Sequence, residues 1–293
     1  MILLVFNSGI LAQMSSLQIK RNAYAKVNFS LSVGSKMNDG RHQIASRMAK
    51  IGLCDTLELT ALDSHSLSRY AILWHKDAVQ KTNIDWPVKE DLSVRAHRLL
   101  EREMGYPLPL QLKLEKRIPV GSGLGGGSSD AAAMLQSVSA LFELDIPLES
   151  LANELGSDVP FFLQNSSAIV TGTGDIFEPI QDEMKDVIII SPPCQCSTKK
   201  VYEAFDSMQN PKLDIMAVRS GDCFNDLLFA AFEIQPKLKL DFEQCKELID
   251  LPIHLTGSGS SMFAICDNEL HANESAEIIN QNSNCDAIAT TTI

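Results

Sequence analysis

From Arg21 onward the chain alternates between apolar and polar positions. In "YAKVNFSLSV", Val27, Phe29, Leu31 and Val33 alternate with Lys26, Asn28, Ser30 and Ser32. A period of two predicts a strand and puts Lys26 and Asn28 side by side on its polar face. Asn38-Asp39-Gly40 then reads as a turn, and a second strand is expected over Thr56–Leu62. Residues 91–104 predict a helix, with Leu92, Ala96, Leu99 and Leu100 at helical spacing. "LQLKLEKRI" alternates again: Leu110, Leu112 and Leu114 face one way, Gln111 and Lys113 the other.

A glycine-rich run, "PVGSGLGGGSSDA" at 119–131, follows that strand directly. Beyond it, Met134, Leu135, Val138, Leu141 and Phe142 form one face of a helix. Ser128, Ser129 and Asp130 suit the N-cap and first turn of that helix. A shorter helix, Leu148–Leu155, stops at Gly156 before "SDVPFF". "DVIIISPP" reads as an apolar strand closed by prolines, and helical stretches are expected near 200–207 and 222–233. "IHLTGSGSSMFAIC" gives a second Gly/Ser loop and another strand. This mixture predicts an α+β chain in two lobes, divided between residues 165 and 180.

Composition narrows the function classes. The chain has 293 residues, of which 45% are apolar and 21% charged, enough for a sizeable core. A net charge of −12 argues against nucleic acid as the main partner. It leaves an anionic small molecule open, because surface charges are screened beyond about 8 Å at physiological salt. Seven cysteines, an odd number without metal-ligand spacing, read as reduced thiols in a cytoplasmic protein. The opening "MILLVFNSGILAQM" lacks a positive n-region and a small-residue cleavage pattern. It is also shorter than the ~20 residues that span a bilayer. Residues 1–13 are expected to be an extension before a start at Met14, and no membrane association is expected.

The glycine run carries the candidate chemistry. Glycines let several backbone N–H groups approach one ligand, and a helix N-terminus adds to an anion site. Flanking strand and helix argue against a flexible linker. "GSGLGG" matches G-x-G-x-x-G at Gly121, Gly123 and Gly126, but the acidic residues about 20 positions on, Glu143 and Asp145, fall in or at the end of a helix. No lysine follows the glycines, so the P-loop reading fails, and protein-kinase signatures are absent. A different phosphate-binding loop is the remaining reading.

"PVGSGLGGGSSDAA" resembles the Pro-x-x-x-Gly-Leu-Gly/Ser-Ser-Ser signature of the GHMP kinases. "AKVNFSL", "LGSDVPFF" and "LTGSGSSMFA", in that order, make the chain most similar to the 4-diphosphocytidyl-2-C-methyl-D-erythritol kinase family over residues 21–267. The resemblance implies a GHMP kinase fold, with a ribosomal protein S5 domain 2-like N-terminal lobe (14–175, ATP-binding) and a ferredoxin-like C-terminal lobe (176–293). It implies ATP-dependent phosphorylation, with Mg²⁺, of the 2-hydroxyl of a cytidine diphosphate ester of methylerythritol, in the bacterial cytoplasm. Another GHMP small-molecule kinase, of mevalonate or homoserine type, and a non-catalytic metabolite sensor are the rival readings. ADP release with each alcohol separates them.

The family pattern assigns roles residue by residue. Lys26 and Asp158 correspond to the catalytic pair beside the acceptor hydroxyl. Taken alone, a strand lysine is ordinarily a solvated charge and an aspartate before Val-Pro a cap. Pro119, Gly121, Gly123, Leu124, Gly125, Gly126, Gly127, Ser128 and Ser129 correspond to the ATP phosphate loop. Lys116 matches a pocket lysine at the adenine end, and Asp91 stands where the family usually has asparagine. Asn28, His42, Thr198 and Tyr202 fall on substrate positions, Tyr202 against the cytosine ring. Arg41 replaces the aromatic residue of an Asp-Gly-Tyr/Phe-His motif; its guanidinium can stack on the base or reach the diphosphate. The resemblance names no metal ligand. Asn225-Asp226-Leu227 also fits the pattern and reads as structural.

Overall fold

In the computed structural model, which describes residues 17–181, 183–208 and 211–293, the first alternating stretch is a long strand, β1 (Gln18–Lys36). The expected extension before Met14 lies outside the described residues. In the middle of β1 the polar positions are as covered as the apolar ones: Lys26, Asn28, Ser30 and Ser32 are all buried. The period-two pattern therefore marks two buried faces of different chemistry, and Lys26 is not a solvated charge. At the Asn38–Gly40 turn Gly40 takes φ +85°, which favours glycine. There the Gly40 N–H donates to Met37 O at 3.0 Å and Met37 N–H to Arg41 O at 2.7 Å.

The next strand, β2 (His42–Ala61), starts well before the expected Thr56. Ala45, Ser46, Met48, Ala49 and Ile51 are buried on both faces of its first half, so hydropathy does not alternate there. By contact the chain groups into two units that interleave along the sequence. Among the described residues one contains 17–24, Cys54–Ile118 and Gly126–Leu163; the other contains Ala25–Leu53, Pro119–Gly125 and the described part of Gln164–Ile293. The segments 14–175 and 176–293 drawn from the sequence are consecutive stretches, whereas these units exchange segments.

In the first unit β3 (Arg69–Trp74) runs parallel to β4 (Leu110–Lys116), which pairs antiparallel with the end of β2. Leu57 stands opposite Leu114 and Leu59 opposite Leu112, all buried, as alternation required. Four helices complete the unit: α1 (Leu92–Met104), α2 (Gly126–Leu141), α3 (Leu148–Leu155) and α4 (Val159–Leu163). The Asp91 side chain caps α1 by accepting from Ser93 N–H, and Gly105 ends it at φ +74°. Ser128 and Ser129 lie in the first turn of α2 and Asp130 directly after it, because the helix already begins at Gly126. Ala131–Leu135 and Val138 are buried as well, so α2 is covered on more than the one expected face.

In the second unit β5 (Ala168–Thr171) pairs antiparallel with the first half of β2 and with β6 (Ile176–Pro179). A four-stranded sheet joins β7 (Asp186–Ser191), β9 (His254–Leu255), β10 (Met262–Cys266) and β11 (Asp286–Thr291) in the order β11-β7-β10-β9. Helices α5 (Thr198–Met208), α6 (Ile215–Ser220), α7 (Leu228–Ile234), α8 (Pro236–Leu248) and α9 (Glu269–Asn282) accompany it. Ile188, Ile190, Met262 and Ala264 pack with Val201, Phe205, Phe232, Leu238 and Ile279 as its core. The single helix expected over 222–233 is instead a short strand, β8 (Phe224–Asn225), parallel to β1, followed by α7. The backbone is extended at Asn225, whose amide donates to Leu255 O at 2.9 Å and Gly257 O at 2.8 Å.

Candidate active site

In the second unit Lys26, Asn28 and the glycine loop are built together. Buried on β1 two residues apart, the Lys26 ammonium donates to Asn28 Oδ1. Asn28 is held from three sides: its amide donates to Ser46 Oγ at 2.7 Å, its N–H to Thr256 Oγ1 at 2.9 Å, and its Oδ1 faces Thr256 Oγ1 at 3.5 Å. The Lys26 backbone N–H donates to Leu124 O at 2.9 Å, so the lysine is tied directly to the glycine loop.

That loop needs its glycines. Gly121, Gly123 and Gly125 take φ of +68°, +82° and +73°. A Cβ on Gly123 would fall 2.5 Å from Thr256 O, and one on Gly257 would fall 3.3 Å from Lys26 Nζ. The loop and the Thr256–Ser261 turn thus meet backbone to backbone, and Ser261 N–H donates to Ser122 O at 2.9 Å. Leu124 is buried, and Ser122 Oγ donates to Pro119 O at 2.7 Å. Asn225, through its two carbonyl bonds, holds the Gly257 turn, in keeping with its structural reading.

A second cluster in the same unit gathers residues of the substrate set. His42 Nε2 lies 2.7 Å from Asp206 Oδ1, and the His42 and Tyr202 rings stand 4.9 Å apart at 40°. Burial alone would raise Asp206, but hydrogen bonds from His42 and Lys36 outweigh it and hold the carboxyl below its ordinary value. Thr198 Oγ1 is 2.9 Å from Ser258 Oγ, on the second glycine turn. Arg41 is exposed, yet its guanidinium is engaged: Nε donates to Asp39 Oδ2 at 2.8 Å and one terminal nitrogen to Thr173 Oγ1 at 3.1 Å. The Arg41 backbone N–H, which donates to Asp39 Oδ1 at 3.0 Å, and after it the guanidinium hold the Asp39 carboxyl low.

The first unit holds the remaining residues. Past Gly125 the chain continues into α2, where Gly126, Gly127, Ser128 and Ser129 form the first turn. A Cβ on Gly126 would sit 2.9 Å from Ile118 Cγ2, so only glycine lets this turn lie so near the end of β4. Lys116 is buried at the end of β4, its ammonium 2.6 Å from both Asp55 Oδ2 and Asp130 Oδ2. Burial alone would lower the Lys116 pKa, but the two carboxylates outweigh it and hold the group charged. Asp91 is occupied as the α1 cap, with Oδ1 accepting from Ser93 N–H and Oγ–H and Oδ2 from Trp86 Nε1 at 3.1 Å. Each oxygen has two lone pairs, so Oδ2 keeps capacity for another donor. Asp158 lies half-buried in the turn before α4, where Val159 N–H donates to Gly156 O at 3.2 Å.

Among the described residues no group of three or more His, Cys, Asp or Glu side chains could hold a metal ion. Sequence reasoning misses Ser46 and Asp206, and Asp55 and Asp130 as partners of Lys116; it reaches Thr256 only as the start of the second glycine turn, which the family resemblance puts beside the active site. Each pairing depends on strand register or a distant turn, which no local pattern encodes.

Comparison with known proteins places these features in context. A family profile described as "GHMP kinases N terminal domain" matches residues 91–166. The 4-diphosphocytidyl-2-C-methyl-D-erythritol kinase of Chlorobaculum parvum is 33% identical over 277 residues, which cover 87% of this chain and 91% of that one. The protein of the same name from Thermus thermophilus is 32% identical over 271 residues, covering 89% and 92%. A crystal structure of a 4-(cytidine 5'-diphospho)-2C-methyl-D-erythritol kinase matches with a TM-score of 0.76 at 32% identity, over 93% of this chain and 98% of the other. Homoserine kinase from Cytophaga hutchinsonii matches with a TM-score of 0.63 at 15% identity, over 98% and 97%, a likeness of fold.

Proposed function

We propose, since this chain belongs to the 4-diphosphocytidyl-2-C-methyl-D-erythritol kinase family of the GHMP kinases, that it transfers the γ-phosphoryl group of ATP to the 2-hydroxyl of that diphosphocytidyl alcohol. The acceptor oxygen is then the one on the methyl-bearing carbon. The reaction belongs in the bacterial cytoplasm; no described helix is long and apolar enough to cross a membrane.

The run from Gly121 to Ser129 takes the phosphates, with Pro119 and Leu124 setting its path. The supporting observation is the buried Lys26 ammonium, held by Asn28 and tied through its own backbone to Leu124 O. A fixed positive charge beside a glycine loop suits phosphoryl transfer, in which charge spreads over the equatorial oxygens and little covalent chemistry is left to the protein. Lys26 neutralises that charge, and Asn28 keeps it from swinging away. Asp158 orients the acceptor hydroxyl and takes its proton late, because a loose phosphoryl-transfer transition state needs no early deprotonation. Mg²⁺, when bound, would be held mainly by the nucleotide phosphates and water and would neutralise phosphate charge; the family pattern names no side chain of this chain as its ligand. In the second unit His42, Tyr202, Thr198 and Arg41 are assigned to the cytidine diphosphate part of the alcohol, and in the first Asp91 and Lys116 to the adenine.

Asp158→Asn keeps the shape of the side chain and removes the base. We expect kcat to fall roughly 10²–10⁴-fold with little change in KM for ATP, measured as ADP release with diphosphocytidyl-methylerythritol. Turnover at the wild-type rate would remove Asp158 from the mechanism.

A further inference from the structure

Lys116 lies between Asp55 and Asp130, and the three are 3%, 0% and 1% exposed. Counted as ordinary ions they would bury one net negative charge, an unfavourable state in a site that water does not reach. The hydrogen bonds decide which carboxylate gives way. Asp55 accepts three hydrogen bonds, from Lys116 and from the backbone N–H groups of Arg117 and Ile118. Among the described residues Asp130 accepts from Lys116 alone, and its Oδ1 is buried without a hydrogen-bond partner. Burial, with the Asp55 and Asp91 carboxylates adding to it against the opposing pull of Lys116, raises Asp130 well above the ordinary carboxyl value.

The position of this cluster gives it a use. The first turn of α2 reads Gly126-Gly127-Ser128-Ser129 and has almost no side chain with which to anchor itself. Asp130 follows immediately, and through Lys116 and Asp55 it reaches β4 and β2. The first N–H groups of a helix have no intrahelical partner, so any drift of this turn moves donors that suit phosphate oxygens.

We propose that Asp130, acting as a neutral acid, forms with Lys116 and Asp55 a positioning clamp that fixes the first turn of α2 for the phosphates of ATP. This rests on the ATP reading above and gives Lys116, assigned there to the adenine end, a further role through Asp130, which need not touch the nucleotide. Lys116 thereby acts through Asp130. Asparagine reproduces the clamp, because its carbonyl accepts from Lys116 and its amide stands where the acid carries its proton.

The test is ATP binding by calorimetry, with KM for both substrates and thermal unfolding measured in parallel. Asp130→Ala and Lys116→Met should weaken ATP binding roughly tenfold or more, the scale of a lost hydrogen bond to a charged group. KM for the alcohol should stay within about twofold. Asp130→Asn should keep ATP affinity within roughly threefold of wild type, since it restores that bond. Loss of thermal stability in Asp130→Ala without loss of ATP affinity in the folded protein would make the cluster merely structural and overturn the clamp. Asp130→Asn binding as weakly as Asp130→Ala would overturn the neutral acid. Should Asp130→Ala not fold, the contrast between Lys116→Met and Asp130→Asn decides, equal affinities counting against the clamp. A wild-type protein that binds no ATP would overturn the underlying reading instead.

Discussion

At Lys26 a two-residue repeat in the sequence brings an ammonium beside Asn28, and the fold then buries both. The same reasoning does not reach Asp55 or Asp130, whose meeting with Lys116 requires the register that sets Thr56 opposite Glu115. His97 is another residue whose setting appears only in the fold. It is fully buried on α1, with Nε2 2.8 Å from Leu108 O and Nδ1 2.8 Å from the Tyr70 hydroxyl. Nε2–H therefore donates to the carbonyl and Nδ1 accepts from the tyrosine, the neutral tautomer. Burial lowers its pKa, against a smaller opposing pull from Glu101. The unfolded chain takes up this proton near pH 6.5 and the folded one only at lower pH, so the unfolded state binds more protons below that point. Stability from this group is full above about pH 6.5 and declines as pH falls through and below it. Urea midpoints should drop between pH 7 and pH 5, and His97→Gln should flatten that part of the slope; an unaltered slope would show that His97 does not contribute.

Elements were legible where one face is wet and obscure where both are covered. β4 alternates cleanly because Gln111 is exposed between buried leucines, and α3 matches its apolar spacing and its stop at Gly156. The first half of β2, covered on both faces, has no such signal, and the short β8 is set by side-chain bonds of Asn225 to another turn. The glycine loop was legible as an element but not in its partner: Gly123 approaches Thr256, far along the chain. Gly123→Ala should be destabilising by about 1–3 kcal/mol, from positive-φ strain and overpacking. It should also raise KM for ATP, measured by chemical denaturation and steady-state kinetics. A variant as stable and as active as wild type would mean that the loop can move off the Thr256 turn freely.

For the whole molecule, the mixed α/β class and most of the proposed active-site residues could be read from four ordered motifs. The interleaving of the two units could not, because β1 and β2 each begin in one unit and end in the other along the chain. The net charge of −12 bears on function only where local donors outweigh it, as at Lys26. Homoserine and mevalonate kinases share the fold at 14–15% identity, so the fold by itself does not choose the alcohol. The central claim is that choice. It is tested most directly by incubating the protein with ATP, Mg²⁺ and, separately, 4-diphosphocytidyl-2-C-methyl-D-erythritol, mevalonate or homoserine, and following ADP release and the phosphorylated product. Turnover is expected with the diphosphocytidyl alcohol alone, phosphorylated on its 2-hydroxyl; turnover with either of the others instead, or with none, would overturn that choice of alcohol.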